Sequence, residues 1–272
     1  MRIAVLRGAP GAARFHLAKT MPTMPAPSPS SPPGAAAQAA VPPLLRQFAD
    51  RRSGTLSYLV ACPVRRVALL LDPVAADAPL YLGVAEEAGW RIEAVLETHR
   101  HSDHASAAAL LREATGALIL AGRDSGLAAD RLLDDGEALT LGFLRPRVAH
   151  TPGHTRGCLS LALGERWFTG DCLTLGDGGP TDEPDSDPAT LYDTVRRVFV
   201  PLPDETLLYP GHLRGPRRVG CIGEERGRNP LFSGLSRDEF VARRRAGRLL
   251  PDDPGAAPSL RFPLSLSPRT DP

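Results

Sequence analysis

The amino-acid sequence predicts a mixed α/β (α+β) fold, a four-layer αββα sandwich, from three observations. Short apolar runs alternate with helical stretches between residues 44 and 120. From residue 138 to 209 the rhythm turns mostly to strand, with one helix. Every candidate metal ligand of the two ranges falls at the end of an apolar run or in the loop just after it, where a rigid scaffold can hold a site. Two strand-rich halves, each covered by helices on its outer side, satisfy all three.

The folded part begins at residue 44, after a stretch of different composition. Proline, alanine, serine and glycine dominate residues 21–43, and no acidic residue precedes Asp50. Such a segment cannot form a packed core, so residues 1–43 are expected to be a disordered Pro/Ala-rich extension. Its four basic residues, Arg2, Arg7, Arg14 and Lys19, superficially fit an organelle transit peptide. A disordered extension, or translation from Met21 or Met24, is the preferred reading. The expected location is the cytoplasm, with mitochondrial targeting the lesser alternative. Residues 55–60 and 67–72 read as paired strands joined across Pro63-Val64-Arg65, and Asp72-Pro73 closes the second. A helix over 78–90 leads into a strand running to Thr98, followed by a helix over 103–115 and a strand at 117–120. Strands at 138–141, 144–150, 158–163 and 167–169 come next, then a helix over 189–199 and a strand at 206–209. The domain is expected to span residues 44–250, with an irregular proline-rich tail over 251–272.

A chain of 272 residues with 42% hydrophobic residues has ample material for a core. The formal net charge of +1 gives no reason to expect nucleic acid, a membrane surface or a strongly acidic partner. No run of about 18 apolar residues occurs, so no membrane span is expected. The four cysteines, Cys62, Cys158, Cys172 and Cys221, lack CxxC spacing and are too sparse for a secreted disulfide scaffold, which points to a reducing compartment.

Function therefore has to come from local chemistry. Thr98-His99-Arg100-His101-Ser102-Asp103-His104 gathers four candidate ligands and three of the chain's seven histidines. Side chains two apart on an extended strand end point the same way, so His99 and His101 can converge on one point. Asp103 sits where a helix is expected to begin, so Asp103 and His104 leave the turn toward a neighbouring point. Two adjacent coordination sites fit that spacing. His154, in Thr151-Pro152-Gly153-His154-Thr155, and His212, in Tyr209-Pro210-Gly211-His212, extend the set, and Asp171 ends the apolar run Trp167-Phe168-Thr169-Gly170. His16 falls in the extension. His150 precedes a turn, where a structural hydrogen bond is expected, and neither is a candidate ligand.

Taken in order, His99, His101, Asp103, His104, His154, Asp171 and His212 resemble the HxHxDH signature and later ligands of the metallo-β-lactamase superfamily, over roughly residues 44–229. The resemblance implies the αββα sandwich. In its two-metal form His99, His101 and His154 would make one site, Asp103, His104 and His212 the other, with Asp171 bridging. Within the superfamily the chain is most similar to the persulfide dioxygenases, relatives of glyoxalase II. The stretches that carry this are Leu44-Leu45-Arg46-Gln47-Phe48, placed before the first strand, Leu71-Asp72-Pro73, Thr151-Pro152-Gly153-His154-Thr155-Arg156-Gly157-Cys158, Phe168-Thr169-Gly170-Asp171, and Glu224-Glu225-Arg226 followed by Asn229-Pro230. Cys158 discriminates, since glyoxalase II enzymes tend to carry a histidine there; its own expected role is that of a small buried residue opening a strand.

That likeness implies one Fe(II) per chain, held by His99, His154 and Asp171, and oxidation of glutathione persulfide or a similar low-molecular-weight persulfide by O₂ to sulfite and thiol. The donor chemistry agrees: two imidazoles and one carboxylate leave three positions open, which suits Fe(II) reacting with dioxygen. His101, Asp103, His104 and His212 would then orient the ligands and bind water. The implied partners are a small-molecule persulfide and O₂, while a homodimer stays open.

Two departures from the family pattern bear on the substrate. Where the family carries Arg-Thr-Asp-Phe after the metal Asp, this chain has Pro180-Thr181-Asp182-Glu183, which removes a cation and adds acids. The bland reading of that loop is a proline-stiffened turn with solvated acids. Arg214, Arg217 and Arg218, just after His212, are candidate substrate-binding cations, or else ordinary solvated surface. A dinuclear Zn(II) hydrolase of the glyoxalase II type, acting on a thioester or lactone, uses the same seven residues, and spacing does not exclude it. Cys158 counts against it, as do the roughly 60 residues after His212, which leave little room for a helical substrate domain. A non-catalytic metal-binding module is the remote alternative, because an idle site has no reason to keep every ligand.

Overall fold

A computed structural model of the chain describes residues 42–247. The extension expected over residues 1–43 lies outside them except for its last two residues, and the tail expected over 251–272 lies outside them entirely. The first half of the fold consists of β1 (Leu44–Ala49), β2 (Leu56–Cys62), β3 (Val67–Leu71), α1 (Ala78–Glu87), β4 (Arg91–Glu97), α2 (Ala108–Thr115), β5 (Leu118–Gly122) and β6 (Arg131–Leu133). These strands form a six-stranded sheet in sequence order. β1 to β3 are antiparallel, and β3 to β6 run parallel, with α1 and α2 as the connections out of β3 and β4.

The second half contains β7 (Arg147–His150), β8 (Leu159–Leu163), β9 (Arg166–Gly170), the small hairpin β10 (Leu173–Thr174) and β11 (Asp177–Gly178), α3 (Pro188–Val198), β12 (Leu207–Pro210), β13 (Gly220–Cys221), α4 (Ile222–Arg228) and α5 (Arg237–Arg245). Its main sheet has the order β13-β12-β9-β8-β7, antiparallel except for the parallel β9/β12 pair.

Alternation along single strands explains why the layers number four. On β2, Leu56, Tyr58, Val60 and Cys62 pack into the cluster shared with Leu161, Phe168 and Tyr209 of the other sheet, while Leu59 and Ala61 join Tyr81 and Leu111 under α1 and α2. A third cluster sets Leu208 against Leu191, Val195, Phe199 and Phe240 on the helices outside the second sheet. A strand apolar on both faces has to be covered on both, and each large aliphatic side chain so buried contributes about 1.5–3 kcal/mol. Tyr58 Oη donates to the Pro210 carbonyl at 2.6 Å, so the one polar atom that β2 sends inward is satisfied across the sandwich.

Several elements differ from the sequence reading. Leu44–Ala49, placed before the first strand, is itself a strand: it pairs antiparallel with β2 at the sheet edge, and the adjacent Arg46 and Gln47, one on each side, interrupt its apolar pattern. The helix expected from Asp103 starts at Ala108. Residues 103–107 are instead tied to the loop after β3 through Ala75 N to Ala105 O (2.8 Å) and Ala107 N to Pro73 O (2.7 Å), and the Ser106 hydroxyl accepts from Ala108 N (2.9 Å) to start the helix there. The strand expected at 138–141 makes only isolated bridges, Ala138 to Arg147 and Leu141 to Leu144. β6, α4 and α5 were not anticipated, the last two lying in a polar stretch with little helical periodicity.

Candidate metal centre

β3 and β4 are parallel neighbours, so the residues that leave their C-terminal ends stand side by side. Asp72, in the left-handed region at φ 47, turns its buried carboxylate toward Thr98. It accepts from Thr98 N at 2.7 Å and from Thr98 Oγ1 at 2.7 Å. Having given its only proton to Asp72, the Thr98 hydroxyl can serve His99 Nδ1, 2.9 Å away, only as acceptor. His99 is thereby fixed with its proton on Nδ1 and a bare lone pair on Nε2. Burial, reinforced by His101, holds the His99 pKa well below the ordinary imidazole value, so the ring is neutral, the state that binds a metal.

His154 reaches the same place from the turn between β7 and β8. Gly153 makes that possible: at φ 137, a Cβ on it would stand 2.3 Å from Leu191 Cα, so only glycine lets α3 pack here. His154 Nδ1–H donates to the Pro180 carbonyl at 2.7 Å, which turns Nε2 toward the site. Asp171 follows β9 across Gly170, whose φ of 51 turns the chain and whose missing side chain leaves room for Thr98; a Cβ there would lie 2.6 Å from Thr98 Oγ1. His212 emerges beside it because β12 is parallel to β9, with Pro210 opposite Gly170.

Asp171 Oδ1 accepts from His212 Nδ1 at 2.7 Å, and Asp171 Oδ2 lies 3.8 Å from His154 Nε2. Burial opposes ionisation of Asp171, but His212 foremost, then His99 and His154, outweigh it and hold the carboxyl well below its usual range. Burial likewise opposes protonation of His212, yet Asp171 and Asp103 raise its pKa to about 9. The donors left over are thus His99 Nε2, His154 Nε2 and Asp171 Oδ2. One donor atom from each of these residues lies within 4.8 Å of the others, and all three residues are buried. Two imidazoles and an ionised carboxylate fit a divalent ion by charge and by ligand type.

His101, Asp103 and His104 form a separate grouping. His101 Nε2 is 3.2 Å from both Asp72 Oδ1 and Glu97 Oε2, and those acids, against the opposing effect of burial, raise its pKa well above the ordinary value. Its Nδ1 is buried without a hydrogen-bond partner, as is His104 Nε2. Asp103 Oδ2 accepts from His212 Nε2 at 2.9 Å, so His212 links the two groupings. His99 and His101 nonetheless converge as a strand end predicts, with ring centroids 4.0 Å apart, and with Asp72 they form a further grouping of possible ligands. The supporting residues Asp72, Thr98, Glu97 and Thr55 were not singled out from the sequence as site residues; the available signal was polar residues at the ends of otherwise apolar, buried strands.

The loop after Asp171 differs from the solvated turn expected of it. Arg100 pairs with Asp185 at 3.2 Å, the Ser102 hydroxyl donates to Glu183 at 2.5 Å, and Arg156 N donates to Asp185 at 3.3 Å, so these acids fasten the loop to the residues around His99. Of the arginines after His212, Arg217 pairs with Glu224 (3.1 Å) and Glu225 (3.2 Å), Arg214 is half-buried and Arg218 exposed. A cation not anticipated, Arg244 of α5, is buried against Asp177 (2.6 Å) and the Gly178 carbonyl (3.2 Å). Cys158 is buried beside Thr155 N, and burial pushes its thiol up to about 12, so it remains protonated. His150 makes its expected structural bond, Nε2 to the Arg156 carbonyl at 2.9 Å.

Two facing sheets with outer helices, and a histidine and carboxylate cluster at one edge of them, define a metal-dependent protein of the metallo-β-lactamase superfamily, whose model matches residues 50–129. The human persulfide dioxygenase ETHE1, described as mitochondrial, is 36% identical over 203 residues, 74% of this chain and 80% of its own length. The chain belongs to the persulfide dioxygenase family. The crystal structure of ETHE1 from Myxococcus xanthus superposes with a TM-score of 0.73 at 37% identity, covering 76% of this chain and 92% of that one. TTHA1623, crystallised in a di-iron-bound form, is more distant, with a TM-score of 0.57 at 28% identity over 68% of this chain and 98% of its own.

Proposed function

We propose that this protein is a mononuclear iron persulfide dioxygenase that oxidises glutathione persulfide, or a similar small persulfide, with O₂ to sulfite and the thiol. Kinship with persulfide dioxygenases over most of the chain supports the reaction class. The single observation that carries the iron assignment is the buried set His99, His154 and Asp171, with one donor atom from each within 4.8 Å of the others. A bound Fe(II) supplies open positions for sulfur and dioxygen and a path for electrons between them.

The chain's own residues set the conditions. His99 and His154 turn their Nε2 atoms to the site because their Nδ1–H groups donate to the Thr98 hydroxyl and the Pro180 carbonyl. Asp171 brings the negative charge, and His212, hydrogen-bonded to it, can hold a proton at Nδ1. The persulfide is already anionic, so no stronger base is required. Its terminal sulfur is oxidised as O₂ is reduced, the S–S bond breaks, and water supplies the remaining oxygen of sulfite and the proton of the thiol. Among the described residues no helix is long and apolar enough to cross a membrane, and all four cysteines are unpaired. Unpaired thiols favour a reducing compartment such as the cytoplasm.

Elemental analysis of protein purified without oxygen, coupled to oxygen uptake with glutathione persulfide, tests the reading. One iron per chain and persulfide-dependent uptake are expected, with uptake lost in His154→Ala and Asp171→Ala. Two zincs with thioester hydrolysis would replace it with the hydrolase.

A further inference from the structure

We infer that Glu225 is a positioning residue for the metal centre, an inference that rests on Asp171 being a ligand as proposed above. From α4 it clasps the loop that follows Asp171 to the loop that follows His212, and so fixes how these two residues meet. β9 and β12 are parallel neighbours, and past their ends the chain departs in two loops. At their bases the loops are joined by Gly211 N to Gly170 O (2.9 Å) and His212 Nδ1 to Asp171 Oδ1 (2.7 Å). The first sheet holds the base of the His212 loop through Thr55 Oγ1 beside His212 Nε2 (3.2 Å), Leu56 N to Gly211 O (2.7 Å) and Tyr58 Oη to Pro210 O (2.6 Å).

Farther out, α4 takes over. Glu225 is completely buried, and a buried carboxylate is retained only where charge and hydrogen bonds compensate it. Its Oε2 accepts from Gly176 N at 2.6 Å and from Asn229 Nδ2 at 2.9 Å, and Asn229 Nδ2 also donates to the Asp177 carbonyl at 3.2 Å. Its Oε1 accepts from Arg217 Nη2 at 3.2 Å. One oxygen thus holds the loop of Asp171, and the other holds the loop of His212. The junction they govern is tight: a Cβ on Gly211 would stand 2.6 Å from Asp171 Oδ1. Close-packed groups transmit displacement, so a shift of either loop reaches the Asp171 carboxylate. Glu225 and Asn229, both buried, belong to the stretch Glu224-Glu225-Arg226 and Asn229-Pro230 singled out in the sequence.

The test is the dissociation constant for Zn(II), measured by competition with a chelator, beside the urea midpoint of the metal-free protein. Glu225→Gln keeps the size and one acceptor oxygen but turns an NH2 group toward Arg217, and Arg217→Met removes the other half of that contact. Each is expected to weaken Zn(II) binding about tenfold, the lower end for groups that orient a ligand. The double variant should lose no more than either alone, because the two share one interaction. Leu139→Ala, which truncates the core in the segment before β7, should lose stability with Zn(II) affinity unchanged. Unchanged affinity in folded Glu225→Gln and Arg217→Met, an equal loss in Leu139→Ala, or additive losses in the double variant overturns the inference. Should Glu225→Gln fail to fold by circular dichroism, Arg217→Met carries the test alone, a tenfold loss supporting the clasp and unchanged affinity overturning it. Full affinity in Asp171→Ala would instead sink the ligand set itself.

Discussion

His154 Nδ1 lies 2.7 Å from the carbonyl oxygen of Pro180, and this bond selects the nitrogen that His154 turns toward Asp171. The carbonyl belongs to a loop that Arg244 grips two residues earlier, through Asp177 and the Gly178 carbonyl. Helix α5, remote in sequence, thus orients a candidate ligand. Arg244→Met is expected to weaken metal binding about 10–100-fold, the usual cost of losing a group that orients a ligand. It should also cost about 1–3 kcal/mol, because the half-buried Asp177 carboxylate keeps only the Gly178 amide as a hydrogen-bond donor. Competition with a chelator and urea denaturation measure the two effects, and unchanged affinity would show that the loop holds itself.

Thr98 acts in the same way on His99, with its hydroxyl between Asp72 and the ring. Thr98→Val should lower metal affinity by a similar factor of about 10–100 and stability by about 1–3 kcal/mol, because the buried Asp72 oxygen and His99 Nδ1 both lose a partner. Thr98→Ser should restore affinity. Failure of serine to do so would assign the effect to packing.

Gly170→Ala would place a methyl 2.6 Å from Thr98 Oγ1 at a left-handed φ of 51. The left-handed conformation costs about 1–2 kcal/mol and the overpacking about 1–3 kcal/mol. A clear drop in the urea midpoint is expected, together with loss of bound metal, since Thr98 must move.

Metal-free protein should respond to pH through His212. Its folded pKa of about 9 stands above the ordinary 6.5, so its stabilising contribution is complete below 6.5 and is lost as the pH climbs through 9. Asp171 is shifted the other way, below the ordinary 3.8, so its contribution is present above that value and is lost in acid. After metal removal the melting temperature should fall between about pH 7 and 9.5, and fall less in His212→Gln. Equal slopes in the two proteins would remove His212 as the cause.

The layer architecture was legible because apolar alternation is a strong local signal, and β2, apolar on both faces, carries it clearly. The edge strand β1 escaped because Arg46 and Gln47 interrupt its apolar pattern on both sides, and α4 and α5 because their sequences are polar and rich in arginine. At the site, the types and order of the seven ligand-like residues stand in the sequence. Their division into two groupings does not, because it depends on where Asp72, Thr98 and Thr55 arrive from other strands. Likewise Arg217 looks like a free cation in sequence, and only the arrival of α4 beside it brings Glu224 and Glu225.

His99 leaves the end of β4 in the first sheet, whereas His154 and Asp171 belong to the second. An ion bound by all three is a cross-link between the two halves of the chain. A metal held by this set then reports that the two halves have docked, because His99 on one side meets His154 and Asp171 only when both sheets face each other.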